Sequence, residues 1–81
     1  MNIQVAQLKY FLALAATKNY SVAADQCNVS QPALSMAIRK LEEELDLMLI
    51  DRKSNPISLT EKGDIIASQA IKIMEELSVL D

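Results

Sequence analysis

The segment NVSQPALSMAIRKLEEEL, residues 28–45, decides the fold because its pattern predicts a helix with two contrasting sides. Ser30 is a suitable N-cap, and Pro32 falls in the first turn, where a missing backbone N–H costs nothing. An aliphatic stripe at helical spacing comprises Leu34, Ala37 or Ile38, Leu41 and Leu45. The other side carries Gln31, Ser35 and Arg39, with Pro32, Met36 and Lys40 beside them. The stripe predicts packing on a core, and the polar side predicts a surface that contacts a partner.

The residues before this segment indicate two further helices. Apolar residues at helical spacing predict a first helix over residues 5–18, which the polar stretch TKNYS (17–21) ends. Ser21 is a suitable N-cap for a short second helix over VAADQC (22–27). Asn28 stands where the chain turns between helices in a left-handed conformation, which asparagine tolerates. Two helices joined by about four residues, the second with a polar outer side, form a helix-turn-helix.

The residues after the segment indicate a wing and a long helix. In LMLIDRKSNPISL (47–59), short apolar runs flank KSNP, which predicts a β-hairpin. Thr60 is expected to cap a fourth helix that continues to Leu80. We therefore predict a mainly α fold. A winged helix-turn-helix with a three-helix core and a short β-hairpin wing occupies residues 1–60, and a long helix occupies residues 61–81, for which the resemblance described below implies a linker and dimerisation role.

The composition argues against catalysis. The chain has 81 residues, no histidine and a single cysteine, Cys27, so it lacks the commonest neutral-pH base and the thiolates for a metal site. We expect no enzyme activity, no metal and no cofactor. We expect Cys27 to be a small buried apolar residue, and the alternative is a redox or intermolecular role. The N-terminus has no signal-peptide pattern, and no apolar run approaches the roughly 20 residues of a membrane span. We therefore expect a cytoplasmic protein.

The charge distribution favours a local basic surface on an acidic chain. The formal net charge is −3, which alone argues against nucleic acid as a partner. Arg39 and Lys40 on the third helix, and Arg52 and Lys53 on the hairpin, nevertheless form two small basic clusters. A winged helix-turn-helix would present both clusters to the same partner.

The residue types on the third helix suit double-stranded DNA. A recognition helix places its N-terminal residues against base edges in the major groove. Gln31 suits adenine, Ser35 suits several base edges, and Arg39 suits guanine or phosphate. The helix N-terminus itself favours phosphate. On the wing, Arg52 and Lys53 are placed to meet phosphate or the neighbouring minor groove.

Each of these features also has a purely structural interpretation. Ser30, Gln31 and Pro32 are good residues for starting any helix. The basic side chains could form solvated i, i+4 pairs or solubilise a turn, namely Arg39 with Glu43, Lys40 with Glu44, and Arg52 and Lys53 in the hairpin. The combination favours DNA because all three groups fall on parts that face one partner.

The segments AADQCNVSQPALSMAIRKLEEEL (23–45), LIDR (49–52) and LTEKG (59–63) resemble the N-terminal DNA-binding domain of LysR-type transcriptional regulators. The similarity starts at LKYFLALA (8–15) and covers essentially the whole chain. It implies a winged helix-turn-helix, a dimer on an interrupted inverted repeat, and a C-terminal effector-binding domain. That domain is absent from this sequence, so we expect a fragment, with any small-molecule effector acting only through the missing domain.

The segments CNVSQPALS (27–35) and LMLIDR (47–52) are also similar to the peroxide-sensing OxyR branch of this family. The residues that would sense peroxide belong to the missing domain, and Cys27 is not evidence for them.

Carried across residue by residue, the family's DNA contacts fall on Ser30, Gln31, Pro32, Ser35, Arg39 and Arg52. With the neighbouring exposed positions, the predicted DNA-binding residues are Ser30, Gln31, Pro32, Ser35, Met36, Arg39, Lys40, Arg52 and Lys53. Gln31 and Ser35 are predicted to contact bases, while Arg39 and Arg52 mainly hold the backbone. Three residues depart from the family pattern: Met36 replaces a polar or basic residue, Asp46 a glycine, and Ile50 a phenylalanine.

The fourth helix is predicted to make the dimer. Its apolar stripe comprises Ile66, Ala70, Ile73, Leu77 and Leu80. About 20 helical residues span roughly 30 Å, so we expect the distal half to extend beyond the three-helix core and to expose an apolar patch. The resemblance implies that the same helix of a second chain covers it, in antiparallel orientation.

The alternative function is a helical protein–protein interaction module that does not bind DNA. In that interpretation the fourth helix is the functional surface and the polar tip of the third helix has no ligand. The salt dependence of binding distinguishes the two functions, because DNA binding weakens steeply with salt and binding through an apolar helix interface does not.

Overall fold

The computed structural model describes residues 1–80, which are mainly helical. The helices are α1 (Val5–Thr17), α2 (Tyr20–Cys27), α3 (Gln31–Leu45) and α4 (Glu61–Ser78). Between α3 and α4, strands β1 (Ile50–Asp51) and β2 (Ser58–Leu59) pair in antiparallel register. This architecture confirms the predicted mainly α fold, a winged helix-turn-helix followed by a long helix.

Apolar side chains of α1 and α3 form one core together with Leu49, which precedes β1. The largest fully buried side chains are Phe11, Leu14, Leu34, Ile38, Leu41 and Leu49. In α3 it is Ile38, and not Ala37, that lies in the buried stripe. Each such side chain contributes about 1.5–3 kcal/mol of burial free energy, so the stripe fixes which side of α3 faces outward.

Left-handed residues end the first three helices. The φ angles are 55° at Lys18, 58° at Asn28 and 54° at Asp46. Asparagine and aspartate tolerate this conformation, so the expectation for Asn28 is confirmed and Asp46 takes the role usually given to glycine. These sharp ends bring α2 and α3 close enough to pack as one unit.

Polar side chains cap the last three helices. The side-chain oxygens of Asn19, Ser30 and Thr60 accept hydrogen bonds from the third backbone N–H beyond each of them, at 3.0, 3.2 and 2.9 Å. The predictions for Ser30 and Thr60 are therefore confirmed. The prediction for Ser21 is wrong, because α2 begins at Tyr20 and Asn19 supplies the cap.

Helix α4 is fixed to the wing at its first turn. The Thr60 hydroxyl donates to the Met48 carbonyl at 2.6 Å, and the Thr60 N–H donates to the Leu49 carbonyl at 3.0 Å. Gly63 lies against the same backbone, since an added Cβ would be 2.1 Å from the Leu49 oxygen. The helix ends at Ser78, two residues before the predicted Leu80. Neither α4 nor any other helix within residues 1–80 has the length and apolarity to cross a membrane.

Candidate nucleic-acid interface

The outward side of α3 is exposed along most of its length. Six of the predicted DNA-binding residues lie there with exposed side chains: Ser30, Gln31, Pro32, Met36, Arg39 and Lys40. Ser35 lies on the same side and is half-buried. The Ser30 hydroxyl is engaged as the N-cap of α3, so this residue fixes the helix start as well as lying at its surface. The fold thus brings the α3 part of the predicted set onto one surface.

A cleft of about 450 Å³ separates this surface from the wing. It is lined by Tyr20, Gln31, Pro32, Ser35, Arg39, Arg52 and Ile57. The cleft therefore brings together the start of α2, the first turns of α3 and both sides of the hairpin. Lys53 is exposed at the hairpin and is not among the residues that line the cleft.

A buried carboxylate joins α3 to the wing. Glu42 is 6 % exposed, and its Oε2 accepts hydrogen bonds from the backbone N–H groups of Leu49 at 2.8 Å and Ile50 at 3.2 Å. Arg52 approaches with both terminal nitrogens, at 3.0 Å to Oε1 and 3.3 Å to Oε2. Such a two-pronged contact fixes the geometry of both side chains.

Contact between Glu42 and Arg52 stabilises the ionised form of each side chain. Burial raises the pKa of Glu42, but the hydrogen bonds from Arg52, Leu49 and Ile50 and the charge of Arg52 outweigh it, so that the pKa lies below its ordinary value of 4.5. For Arg52, burial lowers the pKa, and the contacts with Glu42 and Tyr20 raise it above its ordinary value. Both groups are therefore ionised at neutral pH.

Arg52 is less accessible than its place in a hairpin suggests, and it forms an ion pair. Its side chain is only 22 % exposed, and its two terminal nitrogens are bound to Glu42. Through this pair Arg52 joins the wing to α3, and its accessible part lines the cleft, so its contact with the DNA backbone stays a prediction.

Within residues 1–80, the other basic side chains have no acidic partner. Across residues 1–80, Arg52 with Glu42 is the one ion pair, so the pairs Arg39–Glu43 and Lys40–Glu44 are not formed. Arg39, Lys40 and Lys53 are exposed. Their positive charges are therefore available to a ligand.

The predicted dimerisation stripe of α4 divides into two parts. Ala70 is 1 % exposed and belongs to the core, and Ile66 packs against that core, so both face their own chain. Ile73 and Leu80 are 46 % and 81 % exposed, and Leu77 is half-buried. The distal half lies beside the start of α1, and it leaves Ile73 and Leu80 exposed as an apolar surface, as expected.

Between the distal half of α4 and the start of α1 lies a groove of about 360 Å³, lined by Val5, Lys9, Met74, Leu77, Ser78 and Leu80. This groove includes two of the five residues of the predicted stripe, Leu77 and Leu80. It widens the apolar surface of α4 with a residue of α1, Val5, which is 45 % exposed.

The sequence interpretation missed Glu42 and Tyr20 at the site. Glu42 stands in the acidic run EEE and looks solvated by composition, yet it lies four residues after Ile38, on the buried side of α3. That helical phase is the signal by which it could have been found. Tyr20 lines the cleft from α2 beside Arg52, and no sequence pattern indicated that the two residues would meet.

Two helices joined by a tight turn, an exposed second helix and an adjoining hairpin define a winged helix-turn-helix protein. The chain belongs to the lysR family of bacterial regulatory helix-turn-helix proteins, whose family model matches residues 5–64.

Full-length relatives carry the similarity across almost the whole chain. The DNA-binding transcriptional dual regulator OxyR of Escherichia coli K12 is 45 % identical over 80 residues, which are 99 % of this chain and 26 % of that protein. The hydrogen peroxide-inducible genes activator of Haemophilus influenzae is 44 % identical over the same shares. The chain thus spans about a quarter of the length of these relatives. The predicted resemblance, including that to OxyR, is confirmed, and these relatives are regulators rather than enzymes.

Solved structures agree with the fold. Vibrio fischeri DarR in complex with DNA matches with a TM-score of 0.95 and 42 % identity, over 98 % of this chain and 27 % of that one. The BenM DNA-binding domain in complex with catB site 1 DNA matches with a TM-score of 0.93 and 33 % identity, over 96 % of this chain and 84 % of that one.

Proposed function

We propose that this chain binds double-stranded DNA sequence-specifically, as the DNA-binding domain of a bacterial transcription regulator. The observation that carries the proposal is the exposed outward side of α3, which is fixed by a fully buried inner side and flanked by unpaired basic residues. DarR and the BenM domain share this fold and have been solved with DNA, which supports the same role here.

In this function α3 enters the major groove with its N-terminal turns foremost. Gln31 and Ser35 contact base edges, while Arg39, Lys40 and Lys53 contact phosphates. Ser30 and Pro32 set the start of the helix, whose N–H groups favour phosphate. Arg52 acts chiefly through Glu42 by holding the wing at the edge of the cleft.

A protein–protein interaction module without DNA binding is less well supported. It leaves the exposed basic and amide side chains of α3 without a ligand, and both structural relatives described above are DNA complexes. The apolar surface on α4 that suggested such a module also fits a homodimer.

The proposed base contact of Gln31 is tested by selecting duplexes from a randomised pool and measuring affinity by fluorescence anisotropy. We expect Gln31→Ala to cost about 1–3 kcal/mol and to relax the preference at one position per half-site, because a paired amide is lost. Gln26→Ala, an exposed amide on α2, is the matched control and should keep the parent preference.

Measuring DNA affinity at a series of salt concentrations distinguishes phosphate contacts from base contacts. Arg39→Ala should weaken all sequences alike and flatten the slope of log affinity against log salt by about 0.9, whereas Lys72→Ala on α4 should not. If the parent enriches no sequence from the pool, the proposed function is wrong. If Gln31→Ala keeps the parent preference, only the base assignment is wrong.

The proposed DNA-binding form is a homodimer. The exposed apolar residues Ile73, Leu77 and Leu80 of α4, together with the groove beside Val5, offer a surface that soluble monomers rarely leave uncovered. A two-fold axis through α4 would place two copies of α3 on the half-sites of an inverted repeat.

A further inference from the structure

Helix α3 carries a small apolar patch in the middle of its outward side. Pro32, Ala33 and Met36 form this α3 apolar patch, and all three are exposed, with Met36 at 59 %. Residues three and four apart are neighbours on a helix surface, so Met36 adjoins both of the others. The patch faces away from the core because Leu34 and Ile38 occupy the opposite side.

The α3 apolar patch has no apolar cover within the described chain. None of its residues belongs to the core of residues 1–80 or to the apolar side chains packed against that core. Its backbone is nevertheless fixed, since the Ser30 hydroxyl accepts the Ala33 N–H at 3.2 Å. The patch therefore stands on a fixed backbone, and the flexible Met36 side chain can adapt to an apolar ligand group.

The surroundings of the patch define what that ligand must offer. Gln31 and Ser35 lie on one flank of the patch, and Arg39 and Lys40 follow within one turn. A matching partner is therefore polar and anionic around a single apolar point. The major groove has this character, because its base edges carry hydrogen-bonding groups and its one protruding apolar group is the C5-methyl of thymine.

We infer that the α3 apolar patch, centred on Met36, recognises the methyl group of a thymine in each half-site. This inference rests on the proposed DNA binding and adds a base preference to it. Met36 is thus a specificity-determining residue, and it works by apolar contact where Gln31 works by hydrogen bonding.

The test removes single methyl groups from the DNA. In a duplex selected by the parent protein, each thymine is replaced in turn by deoxyuridine, which lacks only the C5-methyl. We expect one position per half-site to lose about fourfold in affinity, the equivalent of the roughly 0.8 kcal/mol for burying one such group. Met36→Ala should bind the thymine and uracil duplexes with nearly equal affinity, and Met36→Leu should keep the discrimination.

Met48→Ala is the matched control, because Met48 is also 59 % exposed but lies between α3 and the wing. It should discriminate as the parent does, and thermal unfolding of all three variants should match the parent. Equal affinity of the parent for every uracil duplex would overturn the inference, as would undiminished discrimination by Met36→Ala. If the parent selects no duplex at all, the proposed function fails first and this inference fails with it.

Discussion

At the scale of single residues, Glu42 has the greatest influence on the geometry of the site. Its carboxylate accepts hydrogen bonds from two backbone N–H groups and from Arg52, so that one buried group on α3 is bound to the first residue of β1 and to the residues on either side of that strand. Burying a carboxylate is costly unless its partners compensate for lost water. Here they do, and the orientation of the wing relative to α3 depends on that compensation.

Replacing Glu42 should change how stability depends on pH. The folded-state pKa of Glu42 lies below the ordinary 4.5, so its stabilising contribution is complete above that value and is lost as the pH falls through the folded-state pKa. We expect Glu42→Gln to lower the free energy of unfolding at neutral pH by about 2 kcal/mol and to flatten its decline in acid. Urea unfolding from about pH 7 to pH 3 measures both effects.

Glu43→Gln is the control for that experiment. Glu43 is the next residue, is exposed and has no ion pair within residues 1–80. Its variant should follow the parent profile closely. The assigned role of Glu42 is wrong if Glu42→Gln and Glu43→Gln give the same curve.

The residues of the site differ in how far sequence alone could define them. Gln31, Pro32, Met36 and Arg39 were predicted to face outward because a strong aliphatic stripe fixes the phase of α3, and they are exposed. The partner of Arg52 was not predicted, because it lies ten residues away across a turn and pairing over that distance depends on tertiary packing.

At the scale of secondary-structure elements, the junction between the wing and α4 has no room for a side chain at Gly63. Gly63 lies in the first turn of α4 against the Leu49 carbonyl, and an added Cβ would come within 2.1 Å of that oxygen. Because the neighbour is backbone, it cannot move aside as a flexible side chain would. This contact, with the cap from Thr60, sets the direction in which α4 leaves the wing.

We therefore expect Gly63→Ala to destabilise the fold, although alanine normally favours a helix over glycine by about 1 kcal/mol. The clash should outweigh that preference and cost about 1–3 kcal/mol in the free energy of unfolding. Ser68→Ala, at an exposed position of the same helix, should stay within about 0.5 kcal/mol of the parent. Thermal and urea unfolding decide the sign, and a stabilised Gly63→Ala would refute the close-approach argument.

The start of α3 was predictable because Pro32 follows Ser30 and marks the first helical turn. The segment TKNYS has no such marker and contains several residues that can cap, and Asn19 was overlooked in favour of Ser21. The apolar stripe of α4 was also predictable, but its periodicity shows only which side of the helix is apolar and does not show what covers that side. Only packing shows that Ala70 faces its own core.

At the scale of the whole molecule, α4 packs on the core of its own chain with one half and forms an exposed apolar surface with the other. Its first half is anchored through Gly63, Ile66 and Ala70, and its second half shares a groove with Val5 and leaves Ile73 and Leu80 exposed. A second copy of the same surface, related by a two-fold axis, would cover these residues without disturbing the core. The part of α4 that the chain itself leaves open therefore defines the proposed dimer interface more narrowly than the sequence stripe did.

A charge placed at Ile73 should separate dimerisation from folding. Ile73 is 46 % exposed, so we expect Ile73→Asp to fold with nearly parental stability. It should sediment as a monomer at tens of micromolar, where we expect the parent to be a dimer. Ser68→Asp puts the same charge on an exposed polar position of α4 and should leave the dimer intact.

On DNA, the parent should bind an inverted repeat far more tightly than a single half-site, because the second half-site is then bound intramolecularly. Ile73→Asp should lose that advantage and bind both duplexes alike. A parent that sediments as a monomer at this concentration would show that α4 does not make the dimer.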